Sequence, residues 1–282
     1  MILELFKTLW GHSGDLASAI AQARDAGFSG IEGPAPVDEE EQNAFFSQIR
    51  GIPWIAEVTT CTRPGEYLPV PHLSPGDHLE SLRQGILRSL PGEPRFITTM
   101  AGSDAWDLDD TLRFHEGVLT LQEVHQLVIS VETHRGRPTY NPWRTIEILS
   151  AFPELRLTCD ISHWCVVTER LILDQEPEML EKLCSRVHHI HGRVGYAQGP
   201  QVPDPRAPEH AADLAAHERW WDRMFLGMKS RGMESATLTP ESGPDGYLHC
   251  QPFSRTPVAD LWEINRWLGL RQLERFHQNP PP

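Results

Sequence analysis

Cysteine is scarce and scattered in this 282-residue chain. Cys61, Cys159, Cys165, Cys184 and Cys250 never fall at Cys-x-x-Cys spacing. That excludes a zinc ribbon and suggests no disulfide framework. Reduced thiols in a cytoplasm are the expectation. Positive charge is also short: 25 Lys and Arg stand against 39 Asp and Glu, a net charge of −14. An acidic protein repels the phosphate backbone that dominates nucleic-acid affinity. No basic stripe with interleaved aromatics offsets this, so no nucleic-acid partner is expected. No apolar run approaches the roughly 20 residues of a membrane span, so no membrane partner is expected either. The chain opens on Ile2-Leu3-Glu4-Leu5-Phe6, without the basic region, apolar core and cleavage site of a signal peptide. There is no Walker loop and no Gly-x-Gly-x-x-Gly. No cysteine has a base at motif spacing, so none reads as a nucleophile.

Histidine, in contrast, is abundant, with 14 residues, many near the ends of strand-like runs. Those runs cover 2–10, 30–32, 53–60, 95–100, 127–134, 155–162, 187–194 and 235–241. Helical patterns separate them at 16–26, 38–50, 77–90, 112–125, 142–152, 177–185 and 218–230, and a last helix covers 256–276. Asp15 caps the first and Gly27 stops it; Pro142 sits near the first position of the fifth. Eight strand–helix alternations in a chain near the roughly 250 residues of a (β/α)8 barrel predict a single α/β TIM barrel. The barrel is expected over 1–276, with a proline-broken loop at 64–76 and a frayed tail at 277–282. A long polar loop at 195–210, after the seventh strand, reads as a semi-rigid cover over the strand ends.

The stretch Val187-His188-His189-Ile190-His191-Gly192-Arg193 organises the chain. Alternation on a strand puts Val187, His189, His191 and Arg193 on one face and turns His188 outward, where it reads as structural. In a parallel barrel, residues at the C-terminal strand ends face one pocket. Glu132, Asp160, His191 and Glu241 sit at such ends on strands five to eight. Three carboxylates and one imidazole suit Mn²⁺ best, with Mg²⁺, Co²⁺ and Zn²⁺ as alternatives. One divalent ion per chain is expected. Trp10 and Glu57 end strands one and three and are candidates for the pocket wall, as are Lys7 and His12. Trp164 could stack on a ring. Trp220 and Trp221 read as packing between helix and barrel.

The constellation of Glu132, Asp160-Ile161-Ser162-His163, His189-Ile190-His191 and Glu241 resembles the xylose isomerase-like TIM barrels. The resemblance implies that Glu132, Asp160, His191 and Glu241 hold the ion and that His163 touches substrate. The sugar epimerases of that family carry a Gly-Glu-x-x-x-Arg-like run after the His-x-His pair. Here Gly192-Arg193-Val194-Gly195-Tyr196 follows instead, and Arg193 is the candidate for the arginine's part. His134 and Arg135 follow Glu132 where those epimerases have an uncharged pair, and His134 joins the substrate-binding candidates. The implied activity is isomerisation or epimerisation of a small-molecule sugar. Glu132 and Glu241 would remove and return a proton beside a carbonyl. Arg193 and His163 are open to two readings, as oxyanion stabilisers or as ion-pair partners of the ligands. A metal-assisted lyase or hydrolase on a glycoside or keto-sugar, and a non-catalytic sugar-binding barrel, are the alternatives. Homo-oligomerisation is left open.

Overall fold

The structure is a computed structural model that describes residues 1–63, 66–244 and 246–281. Pro64 and Gly65 of the expected 64–76 loop, and Pro282 of the expected tail, lie outside the described residues. Apolar, β-rich runs form eight parallel strands that pair in chain order. They are β1 (Ile2–Thr8), β2 (Gly30–Gly33), β3 (Trp54–Thr59), β4 (Ile97–Met100), β5 (Ile129–Glu132), β6 (Arg156–Cys159), β7 (Val187–Gly192) and β8 (Ser235–Pro240). The ring closes where Ile2 pairs with Ser235 and Leu5 with Leu238. This is the (β/α)8 barrel expected from the alternation.

Helices fill the intervals: α1 (Leu16–Asp25), α2 (Glu39–Gln48), α3 (Pro75–Ser89), α4 (Leu108–His125), α5 (Pro142–Ala151), α6 (Ser162–Thr168), α7 (Pro177–Cys184), α8 (Ala211–Ser230) and α9 (Leu261–Gln278). Local chemistry fixes their starts. Asp15, Asp38, Asp107 and Asn141 each accept a backbone N–H of the first turn, which satisfies donors that have no partner within the helix. Ser74 and Asp77 form a reciprocal capping box, so α3 begins earlier than Asp77. α9 continues to Gln278, into the segment expected as tail.

Two readings need correction. The run 155–162 is not all strand: β6 ends at Cys159, and Ser162 and His163 open the short helix α6. Asp160 drives the break, because its Oδ1 accepts both the Ser162 amide and the Ser162 hydroxyl. His188 does not alternate outward. Leu157 pairs with Val187 and Thr158 with His189, so His188 is an extra residue at a bulge. Its ring meets Phe96 edge-on at 4.7 Å.

Alternation divides the barrel into layers. Leu3, Leu5, Ile31, Val131, Ile190 and Leu238 face outward into the main apolar core under the helices. Inside, Phe6, Ile55 and Phe96, with Val128 against them, form a separate apolar plug. Above it runs a buried hydroxyl ladder, in which Thr98 donates to Thr158 at 2.8 Å and Thr158 to Ser130 at 2.9 Å. The next inward residues along these strands are Glu57, Glu132 and Asp160.

Buried imidazoles outside the barrel make stability depend on pH. Burial pushes His115 on α4 and His217 on α8 down to about 4. Each donates Nδ1–H to the carbonyl one turn back, of Thr111 and Asp213 respectively. The unfolded chain, with His near ~6.5, binds these protons more readily than the native state. Their contribution is therefore complete above pH ~6.5 and is lost as pH falls towards 4. At pH 5 each should cost about 2 kcal/mol. The contribution of His115 is read from the difference in urea midpoint between the parent chain and His115→Gln, which should be constant above pH ~7 and should shift in favour of His115→Gln as pH falls from ~6.5 to ~4.5.

Candidate active site

The site is built from the inward-facing ends of β2, β5, β6, β7 and β8. Its centre is Glu32, almost fully buried at the end of β2. His189 Nε2 donates to Glu32 Oε2 at 3.1 Å, and His191 Nε2 donates to Oε1 at 2.9 Å. The Thr239 hydroxyl also donates to Oε2. Burial alone would raise this carboxyl, yet His191 and His189 hold it well below the usual range by charge and hydrogen bonds. His189 Nδ1 accepts from the Thr237 hydroxyl at 2.8 Å, which completes its partners.

With Nε2 committed to Glu32, the other nitrogen of His191 points at carboxylates. Nδ1 lies 3.3 Å from Glu132 Oε1 and 3.1 Å from Glu241 Oε2. It is buried and has no hydrogen-bond partner. A neutral imidazole would aim a lone pair at two negative groups there. A proton or a metal ion must stand between them. Burial would lower the imidazole, but Glu241, Glu32 and Glu132 raise it well above its ordinary value. The ligand atoms of Glu132, His191 and Glu241 lie within 4.8 Å of one another. The orphaned nitrogen and the oxygen-rich donors beside it fit a divalent cation.

Asp160 stands beside this group but is already occupied. Arg193 Nη2 pairs with its Oδ2, and Ser162 takes its Oδ1. Arg193 is fully buried. Its Nε donates to Ser162 Oγ at 3.1 Å, and its Nη2 donates to His163 Nε2 at 2.9 Å and lies 3.7 Å from Glu241. The guanidinium stacks 4.6 Å from the Tyr247 ring, and its Nη1 has no acceptor within the protein. Burial pushes Glu132 up to about 7 against the opposing charge of His191. Glu57 is pushed up to about 8 by burial and by the charges of Glu241, Glu132 and Glu32.

A cavity of about 770 Å³ opens over this floor. Trp10, Glu57, Glu132, His134, Arg193 and Glu241 line it. His191 and Asp160 lie beneath the floor. So does His163, whose ring is fully buried 3.9 Å from that of His134; the expected substrate contact instead supports Arg193 from behind. Residues 195–210 do not line the cavity. They are pinned as scaffold, with Val202 bonded to Val194 and the Gln201 amide bonded to Gly243. Lys7 points outward over Trp262, and Trp164 is buried and donates to Thr139. Trp220 and Trp221 pack in the main core, as expected.

Two residues escaped the sequence reading. Glu32 carried a usable signal, as an acid at the end of a short buried strand. Tyr247 carried none, because it lies in the irregular segment after β8 and reaches Arg193 only through the fold.

No protein-family model matches the chain, and no curated protein matches it in sequence. Solved structures do match. A D-tagatose 3-epimerase-like protein has a TM-score of 0.61 at 13% identity, over 98% of each chain. A D-allulose 3-epimerase from Methylomonas sp., in complex with D-allulose, has a TM-score of 0.59 at 13% identity, over 97% of each chain. A xylose isomerase-like TIM barrel protein from Mycobacterium smegmatis, in complex with magnesium, has a TM-score of 0.58 at 11% identity, over 96% of this chain and 97% of the other. At these identities the likeness is one of fold, and the fold is the one the constellation suggested.

If Glu32 orients His191 for a cation, Glu32→Gln should weaken Mn²⁺ binding by about 10–100-fold, the usual cost of losing such a partner. His191→Ala should weaken it further. His188→Ala, at the bulge against Phe96, should leave it unchanged. Competition titration against a fluorescent chelator measures all three, and equal behaviour of His191→Ala and His188→Ala would remove the site.

Proposed function

We propose that this chain is a divalent-metal-dependent sugar isomerase or epimerase that moves a proton beside a carbonyl. One observation carries the reading: the buried, unpartnered His191 Nδ1 between the Glu132 and Glu241 carboxylates. Glu132, His191 and Glu241 are the proposed ligands, and Asp160 would join as the fourth only by sharing an oxygen that Arg193 or Ser162 already holds. The oxygen-rich set favours Mn²⁺. The bound ion would polarise the substrate carbonyl or its neighbouring hydroxyl. Epimerases with the same fold, and one such barrel with magnesium, support the general class. Fold alone does not choose among reactions. Free thiols such as Cys61 and Cys250 suit a reducing cytoplasm.

The chain's own residues then divide the work. Glu132 and Glu241 come from β5 and from the end of β8, and both line the cavity. The Glu132 carboxyl, at the cavity floor, is placed to take a proton from carbon and return it. Arg193 faces the same cavity with Nη1 unpaired, and can donate to the oxygen that becomes negative as the proton leaves. Its pairing with Asp160 and Ser162 keeps that donor in place.

Metal analysis of protein purified without chelator should find about one divalent ion per chain. In D₂O, a substrate C–H beside the carbonyl should exchange with solvent, as NMR can follow. Glu132→Gln and Glu241→Gln should each cut turnover by about 10²–10⁴-fold, the usual loss with a general base. Normal turnover by the double variant would end the proton-transfer reading. Cleavage of the sugar in place of isomerisation would point to the lyase chemistry that the same base could serve.

A further inference from the structure

The cavity has two unlike halves. The floor and one wall are polar: Glu57, Glu132, Glu241 and Arg193, with Glu66 on the rim. The other wall comes from the segments after β1 and β2 and from α1 and α2. Its side chains are Leu9, Leu16, Ala35, Val37 and Phe45. A free monosaccharide carries hydroxyls on nearly every carbon. Seated on the floor, it would leave this apolar wall in contact with water. The cavity volume of about 770 Å³ also lies well inside the roughly 300–1,000 Å³ of sites that enclose drug-sized ligands.

Charge narrows the choice further. Among the described residues, Arg193 is the one Lys or Arg that lines the cavity, against four glutamates. Arg193 is already paired with Asp160. Of the nearby cations, Lys7 lies over Trp262, Arg137 donates to the Thr60 and Gly102 carbonyls, and Arg135 lies 5.0 Å from the Tyr247 ring. A phosphate or carboxylate on the substrate would meet an excess of acids over the floor.

We infer that the substrate is an uncharged keto-sugar glycoside with an apolar aglycone, its ring ketone supplying the carbonyl that the acetal carbon lacks, the sugar over Glu132, Glu241 and Arg193 and the aglycone against the wall built by Leu16, Ala35, Val37 and Phe45. The inference rests on the sugar-enzyme reading above and adds the substrate class to it. The aglycone also shields the sugar end from water.

The test is a calorimetric binding series on the purified protein with Mn²⁺. D-glucose, D-glucose 6-phosphate and phenyl β-D-glucoside are compared, and the galactose and xylose series are run alongside to allow for the unknown sugar. Within at least one series the phenyl glycoside should bind about tenfold or more tightly than the free sugar, from burial of the ring. The phosphate should bind weakest. Ala35→Asp, at a buried position in the wall, should abolish the aryl gain. Val37→Asp, at an exposed position on the rim, should reduce the gain without a risk to folding. Equal or tighter binding of the free sugar or the phosphate, an aryl gain that survives both variants, or no binding in any series would overturn the inference. The two readings fail separately. An aryl preference, with no solvent exchange of a C–H in a keto derivative of the same glycoside, removes only the proton-transfer reading. Exchange in free sugars without an aryl preference removes only this one.

Discussion

A carboxylate buried at the end of β2 sets what the rest of the site can be. Glu32 has no access to bulk water, so its charge survives only because three groups donate to it: His189, His191 and Thr239. A buried charge stripped of its partners costs several kcal/mol, which ties β2, β7 and β8 together across the barrel. The same bonds decide the imidazole chemistry. Once His191 Nε2–H is spent on Glu32, Nδ1 is what remains, and the barrel places two carboxylates within 3.3 Å of it. The demand for a proton or a metal ion at that point therefore follows from a residue on the opposite side of the ring.

Arg193 supplies the second constraint. Its guanidinium is buried with Asp160, Ser162 and His163 behind it and Tyr247 above it. The backbone that carries it has little freedom. A Cβ on Gly195 would lie 2.7 Å from Ser162 Cα, so the chain must pass α6 at glycine distance. His217 Nε2 then accepts the Gly195 amide at 3.2 Å, and its Nδ1–H is fixed on Asp213. The short helix α6 thus has a clear function: it turns the chain so that Ser162 and His163 back the arginine. A permanent positive charge beside Asp160 also offsets part of the repulsion among the acids on the floor.

How much of this was legible in the sequence depends on the range of the interaction. Period-two alternation carries Glu132, Asp160, His191 and Glu241 to one face of their strands, and strand order carries the strands to one ring; both are local or topological properties. Side-chain partners are neither. Nothing near Asp160 in sequence says that Arg193, thirty-three residues on, will claim one of its oxygens. His163 reads like a pocket residue because Asp-x-x-His spacing places it near the ligands, yet α6 turns it under the floor. The 195–210 loop reads like a cover because it is long and proline-rich. Buried Gln201 and Val202, invisible as such in a polar segment, make it scaffold. Glu32 was legible in principle, since burying an acid on a four-residue strand demands a partner.

The bulge at His188 explains how an apolar plug and a polar site share one barrel. Strand parity is unforgiving: a slip of one residue exchanges the inner and outer faces along the whole strand. Below the bulge, Val187 packs outward in the main core. Above it, His189, His191 and Arg193 face inward and Ile190 faces the helices. The extra residue is absorbed at one point, where the His188 ring lies against Phe96 of the plug. Burial keeps that ring neutral by pushing it down to about 3, so the insertion adds no charge to the apolar layer. The register of β7 against β8 above the bulge is regular, Ile190 with Leu238 and His191 with Thr239. That regular pairing is what puts Thr239 and His191 on the same Glu32 carboxylate. The bulge therefore takes up the mismatch with β6 low in the barrel, and leaves the upper register free to be set by the buried charge.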